Sequence, residues 1–311
     1  MVRKFISRLF APLNRDAVPH GLPDFARGSE IPRIIHQTFP TKNLPPQFQA
    51  NARRLQAMNP AWKYALYDDS DILEFIATAY GPKILSYYKR INPKYGAVRA
   101  DLFRYLLLYK LGGVYLDIKS TLARPIDDVL RPGDQYLLAG WRNGPGEEHE
   151  GYGIGDDLCM VDGGEFQQWH IIAAPGHPFL KAAIDMTLTN IDRYKPSVHG
   201  TGFCGTMRLA GPIAYTLSIH PLLPLHPHRR VRTDAELGLV YSVMKSPHKV
   251  FFKTHYSDLR EPVIKMGVRG RVIDLLYNLK ERISLFAKKL RPWRHGPPKP
   301  TPPLAPRPAR P

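Results

Sequence analysis

Apolar positions along this chain switch between a period of two and a period near 3.6, and the switches lay out alternating strands and helices. Ile34 and Ile35, followed by His36 and Gln37, predict a first buried strand. A helix is expected from about Gln47 to Met58, stopped by Asn59 and Pro60. Trp62 to Tyr67 predicts the next strand, and the run Asp68, Asp69, Ser70, Asp71 offers caps for another helix. Lys83 to Lys110 reads as largely helical with a break at Asn92 and Pro93. Trp169 to Ala174 predicts a further strand, and Pro178 to about Tyr194 a helix. Strand alternating with helix is the α/β signature and predicts a mostly parallel sheet. Residues 143–165 are rich in Gly, Asp and Glu, show no clear period and read as a loop.

The stretch 99–120 adds chemistry to this pattern. Asp101 and Arg104 are spaced i, i+3 and share one face of a helix that ends on Gly112 and Gly113. The strand that follows alternates, so Val114, Leu116 and Ile118 point one way and Tyr115, Asp117 and Lys119 the other. Asp117 and Lys119 then lie at a strand's carboxyl end, where open α/β sheets bind ligands. One acid and one base from a helix, with one of each from a strand, suit a polar anionic ligand.

This block resembles the core motif of glycosyltransferase family 32, sugar transferases that include bacterial capsular and lipopolysaccharide enzymes and yeast outer-chain mannosyltransferases. The family pattern is Arg-Ala-Asp-x-x-Arg-Tyr, an apolar stretch, Gly-Gly, then a strand ending Asp-x-Asp. Residues 99–105 and 112–117 follow it. Ile31 to Gln37, Asn59 to Asp69 and Ala173 to Phe179 agree with further family segments, so the likeness runs over roughly residues 31–260. The resemblance implies a GT-A-like nucleotide-sugar-binding fold, with a mostly parallel central sheet flanked by helices. It implies transfer of a sugar, with retention, from a nucleotide-diphosphate donor to a glycan or lipid-linked acceptor in polysaccharide, capsule or glycolipid synthesis. By position in the family, Asp101, Arg104, Asp117 and Lys119 fall in the catalytic set. His36, Arg99, Asp101, Arg104 and Asp117 fall in the donor-binding set.

One departure bears on the chemistry. The second carboxylate of the family motif, a principal ligand of Mn or Mg, is Lys119 here. Three readings follow. Lys119 places an ammonium where the cation would sit, and the enzyme works without metal or with only weak metal dependence. Alternatively, Asp117 and a downstream histidine such as His255 hold the divalent cation. In the third reading the chain is a non-catalytic sugar-binding homologue.

Composition narrows the partners. The chain has 311 residues, 43% of them hydrophobic and 23% charged, which suits a globular protein with an ample core. Its two cysteines, Cys159 and Cys204, lack metal-type spacing and read as partly buried free thiols. The net charge is +17, and residues 262–311 alone hold twelve Lys/Arg against two Asp/Glu. Val272, Leu275, Leu276, Leu279, Ile283, Phe286 and Leu290 form one stripe of a basic amphipathic helix, a pattern that fits either an anionic membrane surface or the enzyme's own body. Eight prolines among residues 296–311 read as an extended tail. Four segments are therefore expected: a basic amphipathic segment at 1–30, a catalytic domain at 31–260, the helix at 261–295 and the tail at 296–311. A nucleic-acid-binding role is the rival from another class, weakened because the basic excess sits in that helix and not among interleaved aromatics; no nucleic acid is expected. No signal-peptide run or membrane-spanning stretch is seen, so a cytoplasmic enzyme is expected, peripheral on the inner face of the plasma membrane.

Overall fold

The computed structural model describes residues 20–244, 256–268, 270–272, 274–276 and 279. The chain divides into two compact units, 1–266 and 267–311. In the second, residues 270–272 and 274–276 are helical. His255, the first nineteen residues and the proline tail lie outside the described residues.

The first unit is built on a six-stranded sheet. Its strands are β1 (Ile34–Thr38), β2 (Lys63–Tyr67), β3 (Gly113–Leu116), β5 (Tyr136–Gly140), β6 (His170–Ala173) and β7 (Arg229–Thr233), in the order β2-β1-β3-β6-β5-β7. β1 pairs parallel with β2 and β3, β6 runs antiparallel between β3 and β5, and β5 pairs parallel with β7. Five strands thus share one direction and β6 alone is reversed, which is the mostly parallel α/β sheet expected. A short second sheet joins β4 (Thr121–Leu122) to β8 (Leu239–Val240).

Alternation along the strands divides the core between the two faces of the sheet. Tyr115, Tyr136, Leu138, Ile171 and Ala173 pack with the helices α2 (Asp69–Arg90), α3 (Gly96–Leu111), α4 (Pro178–Arg193) and α7 (Pro212–Ile219). Ile35, Val114, Leu116, Leu137, Ala139 and Ile172 pack on the other face, with Leu55 of α1 (Pro46–Met58) and Trp62. The helix starts follow their local chemistry. Asp68 accepts from the backbone N–H groups of Ser70 and Asp71 while Asp71 reaches back, a full capping box for α2. His177 caps α4, accepting from Phe179 N–H at 3.3 Å.

Two features differ from the sequence reading. The helix capped at Asp68, as expected, runs on to Arg90 with a bend at Gly81 (φ 76°) before Pro82, taking in the start of the helical region read separately from Lys83. Cys159 and Cys204 are free, as expected, but exposed.

α3 is the central helix. Val98, Leu102, Phe103 and Tyr105 to Tyr109 are all buried, so it is apolar nearly all round. It ends at Gly112 (φ 64°), whose place beside Pro32 and Pro175 leaves no room for a side chain. Gly113 (φ 102°) turns the chain into β3 against the Ile34 carbonyl and His36. This tight reversal puts the carboxyl end of β3 beside the amino-terminal half of α3.

Candidate active site

α3 carries two buried charges, Asp101 at 3% and Arg104 at 4% exposure, and such charges need partners to be tolerated. The Arg104 guanidinium bridges two carboxylates, lying 3.1 Å from Asp101 Oδ1 and 2.9 Å from Asp117 Oδ1. It also donates to the Gln168 carbonyl and stacks 4.7 Å from the centre of the Tyr115 ring. The Gln168 side chain closes the ring of contacts, donating to Asp101 Oδ1 at 3.1 Å. Tyr105 donates to the Gln168 side-chain oxygen at 2.9 Å. Burial pushes the Asp101 carboxyl up to about 7, with Asp117 adding to the rise and Arg104 and Gln168 opposing it.

Asp117 follows the last residue of β3. Its N–H donates to the Trp169 carbonyl at 2.8 Å, and its own carbonyl accepts from Gln37 at 3.1 Å and from Ser120 N–H at 2.8 Å. The backbone is thus pinned on both sides while the carboxylate faces a cavity. Lys119 sits in the turn beyond, its ammonium 3.9 Å from the centre of the Tyr241 ring. Burial pulls that ammonium down to about 8, with Asp117 opposing the fall and Arg104 adding to it.

The cavity measures about 1270 Å³ and is large enough for a nucleotide sugar and part of an acceptor. Asp101, Arg104, Asp117 and Lys119 all line it, as does Arg99. The Arg99 guanidinium donates to the Ile91 carbonyl at 3.2 Å and lies 5.3 Å from the Tyr88 ring centre. His36 is elsewhere. It is fully buried within β1, with Nδ1 3.1 Å from the Tyr67 hydroxyl and Nε2 3.0 Å from the Gly112 carbonyl. Burial pulls its imidazole down to about 4, so it is a neutral side chain supporting the glycine turn.

The sequence reading missed Trp141, Glu165, Gln168, Trp169, Tyr241 and Tyr256, all of which line the cavity. Gln168 and Trp169 lie immediately before β6, and that position at a strand end was the available signal. The others come from stretches without a period.

Of the residues the sequence offers to a divalent cation, Asp117 lines the cavity and His255 lies outside the described residues. Asp117 already faces the Arg104 guanidinium at 2.9 Å, and an ammonium stands where the family's second carboxylate would be. Among the described residues no group of three His, Cys, Asp or Glu side chains is placed to hold a metal ion.

Residues 45–137 match the model of a glycosyltransferase sugar-binding region containing the DXD motif. Inositol phosphoceramide mannosyltransferase 3 of Schizosaccharomyces pombe is 38% identical over 104 residues, covering 33% of this chain and 28% of the relative. Inositol phosphoceramide mannosyltransferase 1 of the same yeast is 27% identical, over 65% of this chain and 55% of the relative. The initiation-specific alpha-1,6-mannosyltransferase of Candida albicans is 30% identical, over 51% and 44%. The chain therefore spans between 28% and 55% of the length of these relatives. A solved structure, the PaToxG glycosyltransferase, superposes with a TM-score of 0.42 at 18% identity, over 72% of this chain and 79% of that one. The fold class rests on the sheet order and not on that superposition. Asp101, Arg104 and Asp117 fall inside the matched region, and over that region the chain is similar to glycosyltransferases with a DXD-motif sugar-binding region.

Proposed function

We propose that the protein transfers a sugar, with retention of anomeric configuration, from a nucleotide-diphosphate donor to a hydroxyl of a glycan or lipid-linked acceptor. The observation that carries the reading is the Arg104 bridge, which fixes Asp101 and Asp117 at one wall of a large cavity. Both carboxylates meet Arg104 through Oδ1, so each presents a second oxygen that can accept from sugar or ribose hydroxyls. The relatives above are mannosyltransferases, which makes mannose the first donor sugar to try.

Departure of a nucleoside diphosphate requires positive charge near the leaving oxygens more than it requires a covalent partner. In this reading the Lys119 ammonium supplies that charge, held in place against the Tyr241 ring. Arg104 is committed to the two carboxylates and serves to position them. Arg99, at the cavity edge, contacts the phosphates. Retention rests on the family likeness alone.

The same reading places the protein at an anionic membrane through its basic ends, most of which lie outside the described residues. Among the described residues no helix is long and apolar enough to cross a membrane.

The test is nucleotide release from a panel of GDP- and UDP-sugars, each offered with a mixed glycan and glycolipid acceptor extract, by wild type beside Asp117→Asn. Turnover of a donor by wild type and its loss in Asp117→Asn supports the reading. Equal turnover by both proteins, or none by wild type, counts against it.

A further inference from the structure

Four carboxylates line the cavity: Asp69, Asp101, Asp117 and Glu165. Asp101 and Asp117 face Arg104, and Asp69 feels Arg99. Glu165 differs. Its partner is the indole of Trp141, whose Nε1 donates to Oε1 at 2.8 Å, and no basic side chain within ion-pair distance is found among the described residues. A carboxylate kept at a cavity wall by a single ring N–H retains lone pairs for a ligand's hydroxyls.

Its setting is built to hold that position. The Glu165 N–H donates to the Gly153 carbonyl at 3.0 Å, tying the two ends of the 153–165 excursion together. Gly153 (φ 66°) lies so close over the glutamate that a Cβ there would strike its side chain. Asn143 braces the same excursion, donating to the carbonyls of Tyr152 at 2.8 Å and Gly163 at 3.1 Å. Arg208 anchors it to α6 (Gly202–Leu209) through Asp157, at 3.0 Å.

The surrounding wall is aromatic. Trp141 meets Tyr152 edge-on at 5.9 Å and Tyr241 at 5.4 Å, and Tyr241 is the ring on which Lys119 rests. Tyr152 is 57% exposed and presents its ring at the cavity mouth. Burial raises the Tyr241 and Tyr256 phenols, and the charges of Asp117 and Glu165 add to the rise at both, with Asp101 adding more at Tyr256. Glu165 and the Asp117 and Lys119 cluster line the same cavity.

We infer that Glu165, with Trp141 and Tyr152, forms the acceptor subsite, which takes a neutral polyol ring such as a hexose or an inositol. Ring C–H groups pack on the aromatic faces while Glu165 accepts hydrogen bonds from the hydroxyls and sets the ring's orientation toward the donor. A phosphate or carboxylate at this point would meet the glutamate charge, so an acceptor's anionic group must lie outside it. The inference rests on the transferase reading for its name, but its test does not depend on turnover.

The experiment is saturation-transfer NMR with methyl α-mannoside and with myo-inositol on the full chain, using wild type, Glu165→Gln and Tyr152→Ala. GDP and UDP binding and the thermal midpoint are measured alongside. We expect at least one polyol to bind wild type, and each substitution to weaken it tenfold or more without lowering the thermal midpoint. Binding within twofold of wild type in both variants, or no binding of either polyol to wild type, overturns the assignment. Failure of the nucleotides to bind would instead count against the donor reading, which keeps the two results separate.

Discussion

Arg104 is the hinge of the site because one guanidinium satisfies two carboxylates that burial would otherwise leave exposed to each other's charge. Replacing it with alanine strands Asp101 and Asp117 together, and removing one partner of such a buried set typically costs about 3–5 kcal/mol. We expect urea unfolding of Arg104→Ala to show a loss of that order together with loss of activity. Arg104→Lys should recover little, because a single ammonium cannot span both Oδ1 atoms and the Gln168 carbonyl. Lys119→Ala should leave the fold intact and lower kcat by roughly 10²–10³-fold, the usual effect of removing one preorganised charge from a leaving group. Burial pulls the Lys119 ammonium down to about 8 against the opposing charge of Asp117, so it is charged below that pH and neutral above it. A pH profile of kcat should accordingly fall as pH rises through 8, and a flat profile to pH 9.5 would remove Lys119 from that role.

The reversal between α3 and β3 transmits sequence into site geometry. Gly112 and Gly113 both hold positive φ, and at both a Cβ would strike neighbouring backbone or proline atoms. Gly113→Ala should destabilise by about 1–3 kcal/mol from backbone strain alone, more if the Ile34 carbonyl and His36 must move. Because Asp117 rides on β3, calorimetry and donor turnover should fall together in that variant. This element pair was legible in the sequence, since α3 declares its length by its apolar run and β3 by its alternation. Asp101 and Arg104 stood out as an acid and a base sharing one face of that helix. β7 was not legible: Arg229-Arg230-Val231-Arg232-Thr233 is an edge strand with exposed arginines, and its strand character comes from pairing with β5 some ninety residues away. Glu165 and Tyr241 were hidden for a related reason. Each lies in an aperiodic stretch and reaches the cavity only because long-range chain crossings bring it there. His36 illustrates the converse, a histidine at a strand end that reads as a pocket residue but is consumed by holding Gly112 and Tyr67.

The fold as a whole buries several neutral histidines, which ties its stability to pH. Burial pulls His36 to about 4, and His170 and His177 to about 3, against an ordinary value of 6.5. In each case the unfolded chain takes up a proton that the folded chain refuses, so their contribution is complete above pH 6.5 and is lost as pH falls toward 4 for His36 and toward 3 for His170 and His177. Each histidine should cost about 2 kcal/mol between pH 6.5 and pH 5. Asp101, raised to about 7, pulls in the opposite sense over part of the window and offsets one of them. A thermal midpoint that drops steadily from pH 7 to pH 5 is the expected outcome, checked by calorimetry at constant ionic strength. The central claim is that this cavity transfers sugar with a cation built into the chain. It is tested most directly by nucleotide release from the accepted sugar donor in EDTA, comparing wild type with Lys119→Ala. The account predicts that wild type keeps its rate in EDTA and that Lys119→Ala loses it. Loss of wild-type turnover in EDTA, restored by Mn or Mg, would contradict it.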